Sequence, residues 1–160
     1  MRKNIFLPLL GLVLLTSLFG CAKYPEASDS SGFNLNIVLR GVAKLPSAGY
    51  IEFRQDPDTA RIIDLNTFIH KLEPNHSYLL QRAVNPISDP DCSSTAWLTL
   101  GLGLQPQDIQ TDKNGDGHAD LWRAVTSIAR GTQFHIHFQV VDANTLAPVL
   151  SSDCYIYTVR

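Results

Sequence analysis

Phe33-Asn34-Leu35-Asn36-Ile37-Val38-Leu39-Arg40 sets Phe33, Leu35, Ile37 and Leu39 against Asn34, Asn36 and Arg40. Successive side chains of a strand point to opposite faces, so strict alternation over this length predicts a half-buried β-strand. The same signature recurs on the C-terminal side. Residues 49–54 alternate and residues 60–65 form a second short candidate, with Pro46 and Asp56-Pro57-Asp58 as punctuation. The turn Leu72-Glu73-Pro74-Asn75-His76-Ser77 leads into the strand candidate Tyr78-Leu79-Leu80-Gln81-Arg82-Ala83-Val84, and the proline-bearing stretch 85–91 is a loop.

Further on, Leu98, Leu100, Leu102 and Leu104 alternate with Thr99, Gly101 and Gly103, the glycines marking a bend or a close backbone approach. Residues 121–128, 133–141 and 154–159 complete the set, the last with Tyr155, Tyr157 and Val159 on one side. Short helices are expected only around residues 67–71 and 126–130. About eight short strands separated by turns predict an all-β fold, an antiparallel β-sandwich of immunoglobulin-like or fibronectin-like topology. Two amphipathic sheets would then bury their apolar faces against each other.

Hydrophobic residues make up 44% of the chain and charged ones 18%, a balance that supports a folded domain. The net charge is −2, and loss of Arg2 and Lys3 with a leader would leave −4. No basic patch stands out, which argues against nucleic acid as a partner.

The chain opens Met1-Arg2-Lys3-Asn4 and continues into the apolar run from Ile5 to Leu15, interrupted by Pro8. A charged start, a short apolar core and a small residue at the cut site make a secretory signal. The run is shorter than the ~20 apolar residues that a membrane span needs. Leu18-Phe19-Gly20-Cys21 resembles a bacterial lipobox. The resemblance implies cleavage after Gly20, diacylglycerol on the Cys21 sulfur and an acylated new N-terminus. Ala22 in place of Asp implies the outer membrane. The expected organisation is a lipoprotein signal peptide (1–20), a lipidated flexible tether (21–31) and a β-sandwich domain (32–160).

With Cys21 assigned to lipid, Cys92 and Cys154 remain as a pair in an oxidising compartment, and a disulfide between them is expected.

The most specific chemistry lies in Asp112-Lys113-Asn114-Gly115-Asp116-Gly117-His118-Ala119-Asp120-Leu121. Side-chain oxygens at every second residue of a tight loop can converge on a hard cation, and calcium takes six to eight oxygens. The expected calcium ligands are Asp112, Asn114, Asp116, the His118 main-chain carbonyl and Asp120, with Gly117 permitting the sharp turn. The stretch resembles EF-hand and dockerin-type loops, but the twelfth position, counted from Asp112, is Arg123 instead of a carboxylate. It is closer to the calcium loop of FG-GAP and related extracellular repeats, which implies a structural calcium in a turn between strands. The alternative is a plain hairpin turn, for which Asn-Gly and Asp-Gly are strong signals.

Phe134-His135-Ile136-His137-Phe138 places two imidazoles on one strand face and three apolar side chains on the other. It resembles the copper-binding strand of copper-zinc superoxide dismutases, which implies a copper or zinc site. The histidines that follow this strand in that family have no counterpart, since none occurs after His137. A solvated polar strand face is the alternative. Ser93, Ser94, Ser151 and Ser152 lack a G-x-S-x-G setting and read as turn residues. No catalytic set emerges. The functional expectation is a non-enzymatic, membrane-anchored, calcium-stabilised module with a binding or envelope-structural role toward a protein or glycan. The rival is a copper- or zinc-handling protein, or a degenerate dismutase-like enzyme, using His135 and His137.

Overall fold

The computed structural model describes residues 33–42 and 48–160. The expected signal peptide, the expected tether and Cys21 lie outside these residues. Twelve strands form: β1 (Leu35–Gly41), β2 (Ala48–Gln55), β3 (Ile62–His70), β4 (Ser77–Pro86), β5 (Leu98–Thr99), β6 (Gly101–Leu102), β7 (Gln105–Pro106), β8 (Asp108–Gln110), β9 (Gly117–Ala124), β10 (Gln133–Asp142), β11 (Pro148–Ser152) and β12 (Tyr155–Thr158). The protein is all-β, and no α-helix is present among the described residues. Both helix expectations are corrected. Thr67 to His70 completes β3, held on both sides by β2 and β9, and residues 126–130 form a turn.

The expected two-sheet sandwich of about eight strands is also corrected. All twelve strands belong to one sheet, ordered β5-β4-β10-β11-β1-β2-β3-β9-β6-β7, with β12 added on β10 and β8 on β4. β5, at one end of this path, and β6, next to last at the other, are separated in the chain by Leu100 alone. Residues 98–102 therefore hydrogen-bond to β4 on one side and β9 on the other, through Arg82↔Leu98 and Leu102↔Trp122. Farther along the same gap, β8 pairs with β4, and Thr111 bridges to Gly117 at the start of β9. The sheet curls into a nearly closed barrel, which leaves few free edges.

Alternation put the inward set where expected. Ile37 and Leu39, Ile51 and Phe53, Leu65 and Ile69, Leu80, Leu121, Phe138 and Val140, Leu150 and Tyr157 are buried in one core. The leucines of residues 98–104 divide instead: Leu100 is buried, while Leu102 and Leu104 are exposed. The turn at Gly103, whose φ is +67°, breaks the period and swings Leu104 out.

The ladders fix which strand ends share a rim. Ile69↔Gly117 and Arg40↔Ala48 lie toward one end, with the start of β4 and the end of β10. Ile62↔Ala124, Leu35↔Phe53 and Phe134↔Pro86 lie toward the other. The acidic glycine loop therefore sits at one rim. The ends of β4 and β9 and the start of β10 frame the opposite one.

Candidate functional site

Cys92 and Cys154 are joined in a disulfide with Cα atoms 5.9 Å apart. It fastens the loop 87–97 across the outer face of β10. Beneath it lie His135 and His137 on one face, as their spacing predicted, but they are not on a wet surface. His135 is 8% exposed, and its Nδ1 lies 3.2 Å from Cys154 Sγ. His137 packs against Trp97 with ring centroids 4.7 Å apart, and its Nε2 is buried with no hydrogen-bond partner. Burial holds the His137 imidazole below its ordinary pKa. Asn85, also on this face, donates to Asp89 of the covering loop, and Ser93 donates to the same carboxylate oxygen. Among the described residues, Cys92, His135 and Cys154 are the only three His, Cys, Asp or Glu residues whose ligand atoms lie within 4.8 Å of one another.

At the acidic loop the Asp112 carboxylate organises the backbone. Asp112 Oδ1 accepts the amides of Asn114 at 2.8 Å and Asp116 at 3.0 Å, and Asp112 Oδ2 accepts Asn114 Nδ2. Those N–H donors, Asp116's first, draw the Asp112 carboxyl below its ordinary pKa. Asp116 Oδ1 instead meets His70 Nδ1 at 3.2 Å and accepts the amide of Lys71. Asp120 lies on the outer face of β9 and pairs with His118 Nε2 at 3.0 Å, while the His118 ring stacks on Phe68. Asp112, Asn114 and Asp116 are thus brought together, and Asp120 points to His118 along the strand. The turn glycine also differs from expectation. Gly115 adopts φ +81° and fits against Leu72, whose amide donates to the Gly115 carbonyl. Gly117 begins β9.

The opposite rim opens on a cavity of about 380 Å³ inside the barrel. Phe53, Ile63, Val84, Phe134, Ile136 and Phe138 supply much of its apolar wall. Two cations share it. Arg82 follows Tyr78 and Leu80 in the inward phase of β4 and faces Phe138 across the ladder. Arg123 follows Ala119 and Leu121 in the inward phase of β9. Arg123 donates to the Gly103 carbonyl at 3.0 Å. Among the described residues, no carboxylate lines the cavity. Burial first, and the neighbouring Arg123 second, push the Arg82 pKa down. Arg61 bonds the carbonyls of Thr126 and Ile128, pinning the turn after β9 over this rim.

Arg82 and Arg123 lie in strands that alternation predicts, yet neither is among the expected site residues. A signal was there. Arg82 is in step with Tyr78, Leu80 and Val84, and Arg123 with Ala119, Leu121 and Val125, so each charge interrupts an apolar face.

The fold and its sites define an all-β barrel module with a covered histidine face, a polar turn at one rim and a cationic cavity at the other. No protein-family model matches the chain, and no curated protein matches it.

Proposed function

We propose that this chain is an exported bacterial lipoprotein, fastened to a membrane through acylated Cys21, whose barrel serves as a non-enzymatic binding module. The interior cavity carries the binding part of this reading. It is of the size of small-molecule sites and is mostly apolar, with a few polar groups in its wall. The disulfide agrees with an oxidising compartment. The lipobox at residues 18–21 supports the anchor, with the outer membrane as its address. Calcium at Asp112, Asn114, Asp116, the His118 carbonyl and Asp120 would stiffen the rim loop, and the clustering of the first three supports it. Its binding would require Asp120 to leave His118.

A mass spectrum of the N-terminal peptide tests the anchor: diacylglycerol on Cys21 is expected, and an unprocessed soluble precursor overturns it. A chelator tests the calcium. It should lower the thermal midpoint of the wild type and leave that of Asp116→Ala unchanged, whereas an unmoved wild type removes the metal from the reading.

A second reading has one observation in its favour. In the reduced protein, Cys92, Cys154 and His135 would offer soft sulfur and nitrogen ligands suited to copper or zinc, with His137 beside them. Elemental analysis separates the two readings. Stoichiometric copper or zinc, lost in His135→Ala, supports metal handling; calcium alone supports the first.

A further inference from the structure

A guanidinium placed among apolar side chains with no acid beside it is an unfavourable arrangement unless something else supplies the negative charge. Arg82 is in that position. It faces inward between Leu80 and Val84 on β4, next to Phe138 of β10, and no hydrogen bond or ion pair from another of the described residues engages its guanidinium. Arg123 lines the same cavity and has one bond, to a neutral carbonyl. Arginine forks match carboxylates in geometry as well as charge. Apart from Asn85, Ser127 and Tyr157, the remaining side chains of the wall are hydrocarbon, Phe53, Ile63, Phe134 and Ile136 among them. Two arginines without a protein acid and an apolar wall are complementary to a molecule with one anionic end and one greasy end.

We propose that the cavity binds a small amphiphilic monocarboxylate, its head paired with Arg82 and Arg123 and its hydrocarbon chain among Phe53, Ile63, Phe134 and Ile136. This deepens the binding reading above and rests on it. The opposed charge within the cavity selects the carboxylate, and the apolar wall selects the chain. A hydrophilic anion such as phosphate meets only half of the wall, and a cationic amphiphile meets repulsion.

Calorimetric titration of the purified protein with decanoate, decanol and decyltrimethylammonium tests this. Decanoate is expected to bind one to one, at least tenfold more tightly than decanol, with the ammonium weakest. Arg82→Gln should reduce decanoate affinity at least tenfold and leave decanol unchanged, while Arg82→Lys, which keeps the charge and loses the fork, should fall between the wild type and Arg82→Gln. Arg40→Gln, on the outer surface, should change nothing. Equal affinity for decanoate and decanol, or indifference to Arg82→Gln in a folded variant, overturns the carboxylate. If Arg82→Gln does not fold, the decanoate-to-decanol ratio of the wild type decides. Binding of decanol or of the ammonium alone leaves a binding module and removes the anionic ligand. Binding of none of the three overturns the proposal, while the anchor is judged separately by the state of Cys21.

Discussion

Tyr157, near the C-terminus, donates its hydroxyl to Gln55 Oε1 at 2.7 Å inside the barrel, tying β12 to the end of β2. Both side chains are fully buried, and the same Gln55 oxygen also accepts the amide of Arg160 at 2.8 Å. Burial pushes the phenol well above its ordinary pKa, so it stays protonated and donating. Tyr157→Phe removes the bond while keeping the ring that packs edge-on against Phe53 and Phe134. A net cost of about 1 kcal/mol is expected, because Arg160 still satisfies the Gln55 oxygen. Denaturant unfolding of the two proteins measures it.

The Cys92–Cys154 bridge spans 62 residues and holds the cover over His135 and His137. In the chain-entropy model such a loop is worth about 4 kcal/mol. Reduction should therefore lower the thermal midpoint and make His137 accessible to diethylpyrocarbonate. A native mass showing two free thiols ends this expectation.

Gly115 and Gly131 both have left-handed φ, +81° and +79°. A Cβ at Gly131 meets nothing within 4 Å, whereas one at Gly115 comes 2.1 Å from the Leu72 carbonyl oxygen. Gly131→Ala should cost only the backbone conformation, about 1 kcal/mol. Gly115→Ala should cost clearly more, because the loop must part from residues 71–76. Parallel urea titrations compare them, and equal losses would contradict this packing.

Asp142 accepts the amides of Thr145 and Asn144, and His76 Nε2 lies 2.6 Å away. The Thr145 amide leads in bringing its pKa down to about 2. A carboxyl held lower in the folded than in the unfolded chain stabilises fully above the ordinary carboxylate range. That stability disappears as pH falls from about 4 through the folded value near 2. Asp142→Asn should be less stable than the wild type at neutral pH and lose less stability over this acid window. Unfolding free energies measured from neutral to acid pH check it.

Desolvation of the Arg82 guanidinium opposes folding. Arg82→Met keeps a flexible chain in the apolar wall and removes the charge, so it should stabilise the protein by about 1 kcal/mol. A raised midpoint together with lost decanoate binding would show a residue kept for its ligand instead of for the fold. A lowered midpoint would mean that the guanidinium supports the structure itself.

Strand positions were legible because period two recurs within the long strands between residues 33 and 159. Closure was not. Ile37 or Phe138 alternates with its neighbours identically in a barrel and a sandwich, since both bury one face. The difference lies in pairing across long sequence distances, such as Leu39↔Ser152, which no local pattern encodes. Residues 67–71 and 126–130 depart from the helical expectation because short stretches carry little periodic information, and Thr67 to His70 owes its form to partners on both sides. The histidine pair was placed on its correct face, yet its covering was invisible because Trp97 arrives from a loop forty residues earlier. The inward arginines could have been found by asking which phase each strand charge occupies.

The seam of residues 98–102 has a dynamic consequence. Its two ladders involve β5 and β6, each two residues long, whereas the β4–β10 and β3–β9 walls beside the cavity are held by ladders of nine and eight pairs. Leu100 on this seam, and Arg82 and Arg123 to either side, all border the interior space. Parting a few hydrogen bonds there would admit a guest while the rest of the wall stays whole, because short ladders open at far less cost than global unfolding. Such a molecule would breathe through its zip, exchanging the amide protons of Leu100 and Gly103 long before those of Leu121 and Phe138.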